Sequence, residues 1–443
     1  MAMSMPSDAI TRPAEPWPAP SPGHPLRTSV VVPGSKSESN RALVLAALSQ
    51  DVSSIRGILH ARDTELMMAA LTALGTRFEA ADDDIVIVHP GPLHAAGQPI
   101  DCGLAGTVMR FIPPVAALAG GRTSFVGDPR ASERPLGPLL DGLHQLGVTS
   151  SAEAIPFVLE APAQLGGRKV TIDSSASSQF VSGLLLAAPL FPQGLDLRHE
   201  GELIPSSPHI AMTVSMLERH GVQIRADRLG RHWIVEPGPI AAVDEQIEPD
   251  LTNGAAFLVA GLLTGGAVRI AGWPRRTEQP GRLIGSMAAL MGATLTDTPQ
   301  GFTMTGTRLL GATLDLHDAS ELTPVAAAMA VAARGTTAIG GVAHIRGHET
   351  DRIRAIATEL SRIGVPVREN PDGLVIRGMA DHLGDLHPSE GNGVFACYGD
   401  HRMVHLGALL GLLVPGMKLD DVACAAKTMP DFAQRWTAMM QGR

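Results

Sequence analysis

Apolar residues recur along this chain in two alternating rhythms. Short β-branched or apolar runs, such as SVVV at 29–32, RTSFVG at 122–127 and FVLEA at 157–161, predict strands. Longer runs with apolar residues three and four apart predict helices, as over 42–48, 107–118, 136–147 and 352–363. Three Ala- and Leu-rich stretches, 181–190, 255–263 and 325–333, are apolar on every side. Such helices are expected to be central and enclosed by sheet.

The rhythm repeats. Glycines close predicted helices at Gly75, Gly147, Gly221, Gly292 and Gly364, about 72 residues apart, where one left-handed C-cap alone would carry no periodicity. Gly121, Gly194 and Gly266 form a second series at the same period, with Gly335 slightly early. Within a unit the order is strand, helix, strand, helix, two strands. Six such units fit the chain, the last truncated, and three per domain is the natural division of a layered α/β protein. The break between the two sets is expected in the loop-like 236–250. Residues 1–25, with Pro13, Pro16, Pro18, Pro20 and Pro22, are expected to form a flexible tail.

Composition narrows the class. The chain has 443 residues, 44% hydrophobic and 18% charged, which suits two globular domains. A net charge of -9 speaks against nucleic-acid binding through bulk positive charge. No apolar run approaches a membrane span, and Cys102, Cys397 and Cys424 are too few and too scattered for a disulfide framework. A cytoplasmic protein with no membrane or nucleic-acid partner is the expectation.

Cations nevertheless collect at predicted helix starts. In PGSKSESNR, 33–41, Ser35 and Glu38 have capping-box spacing. Lys36, Ser37 and Arg41 remain unexplained by it, because cations at a helix N-terminus oppose the macrodipole unless an anion lies between. The spacing differs from a nucleotide P-loop, so the ligand should be a small phosphate or carboxylate. DCGLAGTVMR, 101–110, brings Gly106 to a helix start, and IDSSASSQF, 172–180, brings Ser177, Ser178 and Gln179. GDPRASERP, 127–135, offers Arg130 and Arg134 in a loop. Glu349 and Arg352 open one later helix, Asp400, His401 and Arg402 another, and Lys427 precedes TMPDF. His401 and His405 stand four residues apart, but no HExxH pattern or cysteine pair supports a metal, and none is expected.

The ordered set PGSKSxSNRAL, AGTxMR, SSQF, ETDR, DHRM and AKTxPDF, spread over about Leu26 to Trp436, resembles the 3-phosphoshikimate 1-carboxyvinyltransferase (enolpyruvylshikimate-phosphate synthase) family of enolpyruvyl transferases. The resemblance implies a two-domain inside-out α/β barrel of six βαβαββ repeats, three per domain. Its N-terminal strand would join the second domain, giving 34–244 and 26–33 plus 245–443. It implies no cofactor, and transfer of the enolpyruvyl group of phosphoenolpyruvate to the 5-hydroxyl of shikimate 3-phosphate. A monomer is expected, and the open Gly106 pocket implies inhibition by glyphosate.

Matched motifs assign Lys36, Ser37, Arg41, Ser177, Ser178, Gln179 and Ser206 to shikimate 3-phosphate, with Glu321 and His348 beside them. Lys36, Gly106, Arg130, Gln179, Arg352, Arg402 and Lys427 are assigned to phosphoenolpyruvate. Several positions depart from the family pattern. Val325 stands where the carboxylate base is usual, so Glu321, one turn earlier, takes that role, with Asp318 as the other candidate. Lys36 and Glu349 are candidates for delivering a proton to the methylene carbon. Leu104 replaces an Asn and His209 a Tyr. His348 replaces a Lys, and a titrating His348 would make affinity for the phosphate fall with rising pH. The alternatives are the related transferase acting on a UDP-amino sugar, which relies on a loop cysteine, and a non-catalytic anion-binding protein.

Overall fold

The computed structural model describes residues 15–442, apart from Asp83, Thr307 and 389–392. Residues 1–14 of the expected tail lie outside the described residues. The rest of that segment departs from expectation: Trp17–Pro18 is a short strand antiparallel to Lys418–Leu419, and the Trp17 ring meets Phe432 edge-on at 6.3 Å. Proline tolerates this place because the pairing is at a sheet edge.

Five four-stranded sheets among the described residues share one strand arrangement, and in three of them its strands come from one continuous stretch of the chain. In the unit that begins at Ile100–Asp101, this strand runs parallel to Gly121–Val126 after the helix Gly106–Ala119. The helix Gly137–His144 follows, and the hairpin Thr149–Ser150 with Phe157–Ala161 completes the sheet in antiparallel fashion. Strands Lys169–Ile172, Leu195–His199, His232–Val235 and Ile224–Ala226 repeat the order, as do those around Thr336–Gly340. The chain is thus an α/β protein of repeated βαβαββ units.

Glycine geometry explains the sequence period. Gly75, Gly147, Gly221, Gly292 and Gly364 all have left-handed φ, from 76° to 120°, where a Cβ would be strained. Gly121, Gly194 and Gly335 do likewise, but in the remaining unit Gly265 takes the left-handed turn, at φ 68°. Gly266 is small for another reason, since a Cβ there would stand 2.0 Å from the Leu26 carbonyl oxygen of the passing N-terminal strand.

Two hydrophobic cores form, one from residues between Ala42 and Ile247, the other from Ala19–Val32 together with residues between Ala255 and Met440. The helices Gln179–Ala187, Leu251–Leu263 and Thr323–Val331 are buried nearly all round, as their uninterrupted apolar sequences require. Each fully buried Leu or Phe in them contributes roughly 1.5–3 kcal/mol of transfer free energy. Among the described residues no helix is long and apolar enough to cross a membrane.

The chain passes between cores twice, side by side. Arg27–Val30 runs parallel to Ala267–Ile270, and Glu245–Gln246 runs parallel to Ser53–Arg56. Glu245–Gln246 and Ile247 therefore lie with the first core, not with the second, where a break after 244 would have put them. Gly34 and Pro249 form a β-bridge, Ser35 N–H donates to the Glu248 carbonyl at 2.8 Å, and Asp250 N–H donates to the Pro33 carbonyl at 2.8 Å.

Candidate active site

One cleft collects the starts of helices from both cores. The helix Lys36–Leu48 is capped by the Ser35 hydroxyl, which accepts from Glu38 N–H at 3.4 Å. The reciprocal half of the expected capping box is not made: Glu38 accepts from Glu248 N–H at 2.9 Å instead, tying the helix to the second crossing. Lys36 and Ser37 are thereby left facing the cleft, with Lys36 Nζ 3.1 Å from Asp63 Oδ2.

Arg41 is not in the cleft. Its guanidinium lies beneath the floor, donating to Thr213 Oγ1 at 2.7 Å and to the carbonyls of Ser37 at 2.8 Å and His209 at 3.0 Å, over the Phe111 ring. Burial pulls its pKa down to about 9, against the opposing pull of Glu38 and Glu321. The i, i+4 spacing puts Arg41 on the same helix face as Ser37, whose backbone carbonyl it holds.

The helix Gly106–Ala119 presents its bare first residue to the cleft. A Cβ on Gly106 would meet Arg110 Nη1 at 3.0 Å, Arg134 Nη2 at 3.0 Å and Gln179 Oε1 at 3.1 Å. Arg130 is elsewhere: it is more than half exposed and pairs with Glu133 at 3.6 Å. Arg134, four residues on, enters the cleft and donates to the Leu104 carbonyl at 2.9 Å. The two arginines were indistinguishable in a loop sequence, because the turn Pro129–Glu133 decides which one points inward.

Ser177 and Ser178 start the helix Gln179–Ala187, and all three of Ser177, Ser178 and Gln179 line the cleft. Gln179 Oε1, Arg134 Nε and Arg402 Nε are buried without a hydrogen bond inside the protein. Unpaired buried polar atoms are costly, so a site with several is built for a polar occupant.

The second core supplies Glu321, His348, Glu349, Arg352, Arg402 and Lys427. Arg352 donates to Asp400 Oδ2 at 2.7 Å and Glu349 Oε2 at 2.9 Å, and Lys427 Nζ donates to Glu349 Oε1. Arg402 Nη1 donates to Asn253 Oδ1 at 2.9 Å. Burial would raise the Glu349 pKa, but Lys427 and Arg352 overcome it and hold the carboxyl well below the usual range. Burial likewise opposes ionisation of Glu321, and His209, followed by Arg402, overcomes it and holds the carboxyl well below the usual range. His348 moves the other way: burial and the neighbouring Arg352 hold it far below the ordinary histidine value, so it is neutral.

Asp318, the other candidate base, does not line the cleft and accepts from Ser207 Oγ at 2.8 Å in an adjoining surface cavity. Ser206, at φ 53°, lines the cleft and bonds across to the second core through its N–H and the His317 carbonyl, at 2.9 Å. Ionisable cleft residues given no substrate role from sequence include Arg110, Arg134, His209, His344 and His401. Arg110 was legible as the last letter of AGTxMR. Of the histidines, His401 was legible in DHRM and His209 only as a departure from the family's Tyr, while His344 carried no motif signal. Cys102 is fully buried and its thiol is pushed up to about 12, first by burial and then by Asp101, which disfavours a reactive thiolate. His405 is also buried, stacked 5.3 Å from Phe432.

A family model for EPSP synthase (3-phosphoshikimate 1-carboxyvinyltransferase) matches residues 20–436. The chain belongs to the EPSP synthase family. Enzymes of this enolpyruvyl transferase family move an enolpyruvyl group in the shikimate pathway of aromatic amino-acid biosynthesis. Two solved EPSP synthase structures from Acinetobacter baumannii share the fold, with TM-scores of 0.78 and 0.76 at 23% identity. Both alignments cover 95% of this chain and 97% of the other, so the EPSP synthase fold accounts for nearly the whole molecule.

Proposed function

We propose that the protein transfers the enolpyruvyl group of phosphoenolpyruvate to the 5-hydroxyl of shikimate 3-phosphate, giving 5-enolpyruvylshikimate 3-phosphate and phosphate. The observation that carries this reading is the convergence of Lys36, Arg134, Arg352, Arg402 and Lys427 with two ionised carboxylates around one cleft between two cores. Two substrates with several phosphate and carboxylate charges need that many cations, and a non-catalytic anion site has no use for the carboxylates.

Glu321, held ionised, takes the proton of the 5-hydroxyl as its oxygen bonds to C2 of phosphoenolpyruvate. C3 gains a proton, and a tetrahedral intermediate forms. Glu349 is fixed as an anion by Lys427 and Arg352, so Lys36 at the cleft mouth is the better donor of that proton. Loss of a proton from C3 and departure of phosphate then restore the double bond. Ser177, Ser178, Gln179, Ser206 and neutral His348 supply hydrogen bonds to shikimate 3-phosphate, and the cations hold phosphoenolpyruvate. Glyphosate, an anion of about the size of phosphoenolpyruvate, competes for the pocket over Gly106.

The two cores are read as two domains of an inside-out α/β barrel with three repeats each, working as a monomer in the cytosol. Mass spectrometry of a mixture of the two substrates tests the reaction. A product carrying both the shikimate phosphate and the enolpyruvyl group is expected; consumption of phosphoenolpyruvate with a UDP-amino sugar instead would replace this reading with the related transferase.

A further inference from the structure

The turn at 204–209 on the first core and the turn at 317–321 on the second are joined by a row of contacts. His317 Nε2 lies 3.0 Å from the Ile204 carbonyl, and Ser206 N–H donates to the His317 carbonyl at 2.9 Å. Ser206 Oγ is 3.4 Å from Ser320 Oγ, Ser207 Oγ donates to Asp318 at 2.8 Å, and His209 Nε2 reaches Glu321 Oε2 at 3.4 Å. The contacts run the length of both turns, and the last of them falls on the Glu321 carboxylate.

His209 is 8% exposed, and its other ring nitrogen, Nδ1, is buried with no hydrogen bond inside the protein. Its backbone carbonyl is pinned from below by Arg41 and by Thr213 Oγ1, each at 3.0 Å. The imidazole is therefore fixed to the first core, whereas the carboxylate it touches belongs to the second. A carboxylate base accepts a proton well only when one oxygen is held and the other is aimed.

We propose that His209 is the positioning residue of Glu321, orienting its carboxylate from the opposite core so that the base is complete only when the 204–209 and 317–321 turns are clasped. The inference rests on the assignment of Glu321 as the base. With the clasp undone, Glu321 loses the His209 contact, its one hydrogen-bond partner among the described residues, and keeps the charge of Arg402 on its own core. Chemistry on an open, wet cleft is thereby suppressed.

Steady-state kinetics of His209→Ala and His209→Gln, beside Glu321→Gln, test the proposal. His209→Ala is expected to lower kcat by roughly tenfold or more while both KM values stay within about twofold, the split that marks an interaction made in the transition state. His209→Gln, which restores an N–H near the same place, or added imidazole with the Ala variant, should recover most of the loss. Melting temperatures of both variants check that they are folded. Raised KM values with kcat unchanged would overturn the proposal, making His209 a plain substrate contact. Near wild-type activity of Glu321→Gln would instead overturn the base assignment itself, and this inference with it.

Discussion

Gly106 faces Arg134 so closely that a Cβ at position 106 would stand 3.0 Å from Arg134 Nη2, with Gln179 Oε1 at 3.1 Å. Contacts this tight force a polar side chain to give way. Gly106→Ala is expected to weaken glyphosate inhibition by tenfold or more, about 1.4 kcal/mol, and to raise the KM for phosphoenolpyruvate by a smaller factor. Inhibition curves of the two proteins check this. A wild type that ignores millimolar glyphosate would remove the inhibitor from the account.

Arg134 and Arg130 separate cleanly by mutation. Removing a cation that contacts an anionic substrate costs roughly 1.5–3 kcal/mol, so Arg134→Ala should raise the KM for phosphoenolpyruvate about 10- to 100-fold. Arg130→Ala breaks only an exposed pair with Glu133 and should be kinetically silent. The reverse ranking would show that the loop is differently placed in the working enzyme.

His348 does not act as a pH switch. Its pKa is held far below the ordinary histidine value, chiefly by burial and then by Arg352, so its charge does not change above neutrality. The falling affinity that a titrating histidine would produce is accordingly not expected. The ratio of shikimate 3-phosphate KM values for His348→Asn and the wild type should be level from about pH 6 to pH 9. A ratio that drifts toward unity as pH rises would mean that the wild-type histidine carries a proton at the lower end.

Glu38 makes stability, rather than activity, depend on pH. Its pKa is raised from 4.5 to about 7, first by burial and then by Glu248, at the double crossing between cores. A carboxyl that is harder to ionise folded than unfolded favours folding fully below about pH 4.5 and loses that contribution as pH rises through 7. Glu38→Gln, neutral at every pH, should melt like the wild type near pH 4 and be more stable at pH 8, by on the order of 3 kcal/mol at most. Equal melting temperatures at both pH values would contradict this.

The βαβαββ period was legible because it rests on local chemistry: left-handed glycines at helix ends and apolar runs of fixed length. The placement of Lys36, Glu349, Arg352 and Arg402 at helix starts was legible for the same reason, whereas Lys427 ends the turn Val422–Lys427. What the sequence concealed depends on contacts distant along the chain. Trp17–Pro18 reads as tail until Lys418–Leu419 is found to pair with it. The bond from Arg41 to the His209 carbonyl joins residues 168 apart and has no sequence signal. His209 shows in the sequence only as a departure from the family's Tyr, and its contact with Glu321 on the other core comes from the fold. The choice between Glu321 and Asp318 likewise required the clasp, which turns Asp318 away toward Ser207.

The central claim is tested most directly by phosphate release from phosphoenolpyruvate, measured with and without shikimate 3-phosphate for the wild type and for Lys36→Met. Release that requires shikimate 3-phosphate, and that falls by roughly 100-fold or more in the folded Lys36→Met protein, is the predicted result. No release by the wild type with both substrates present would contradict the account.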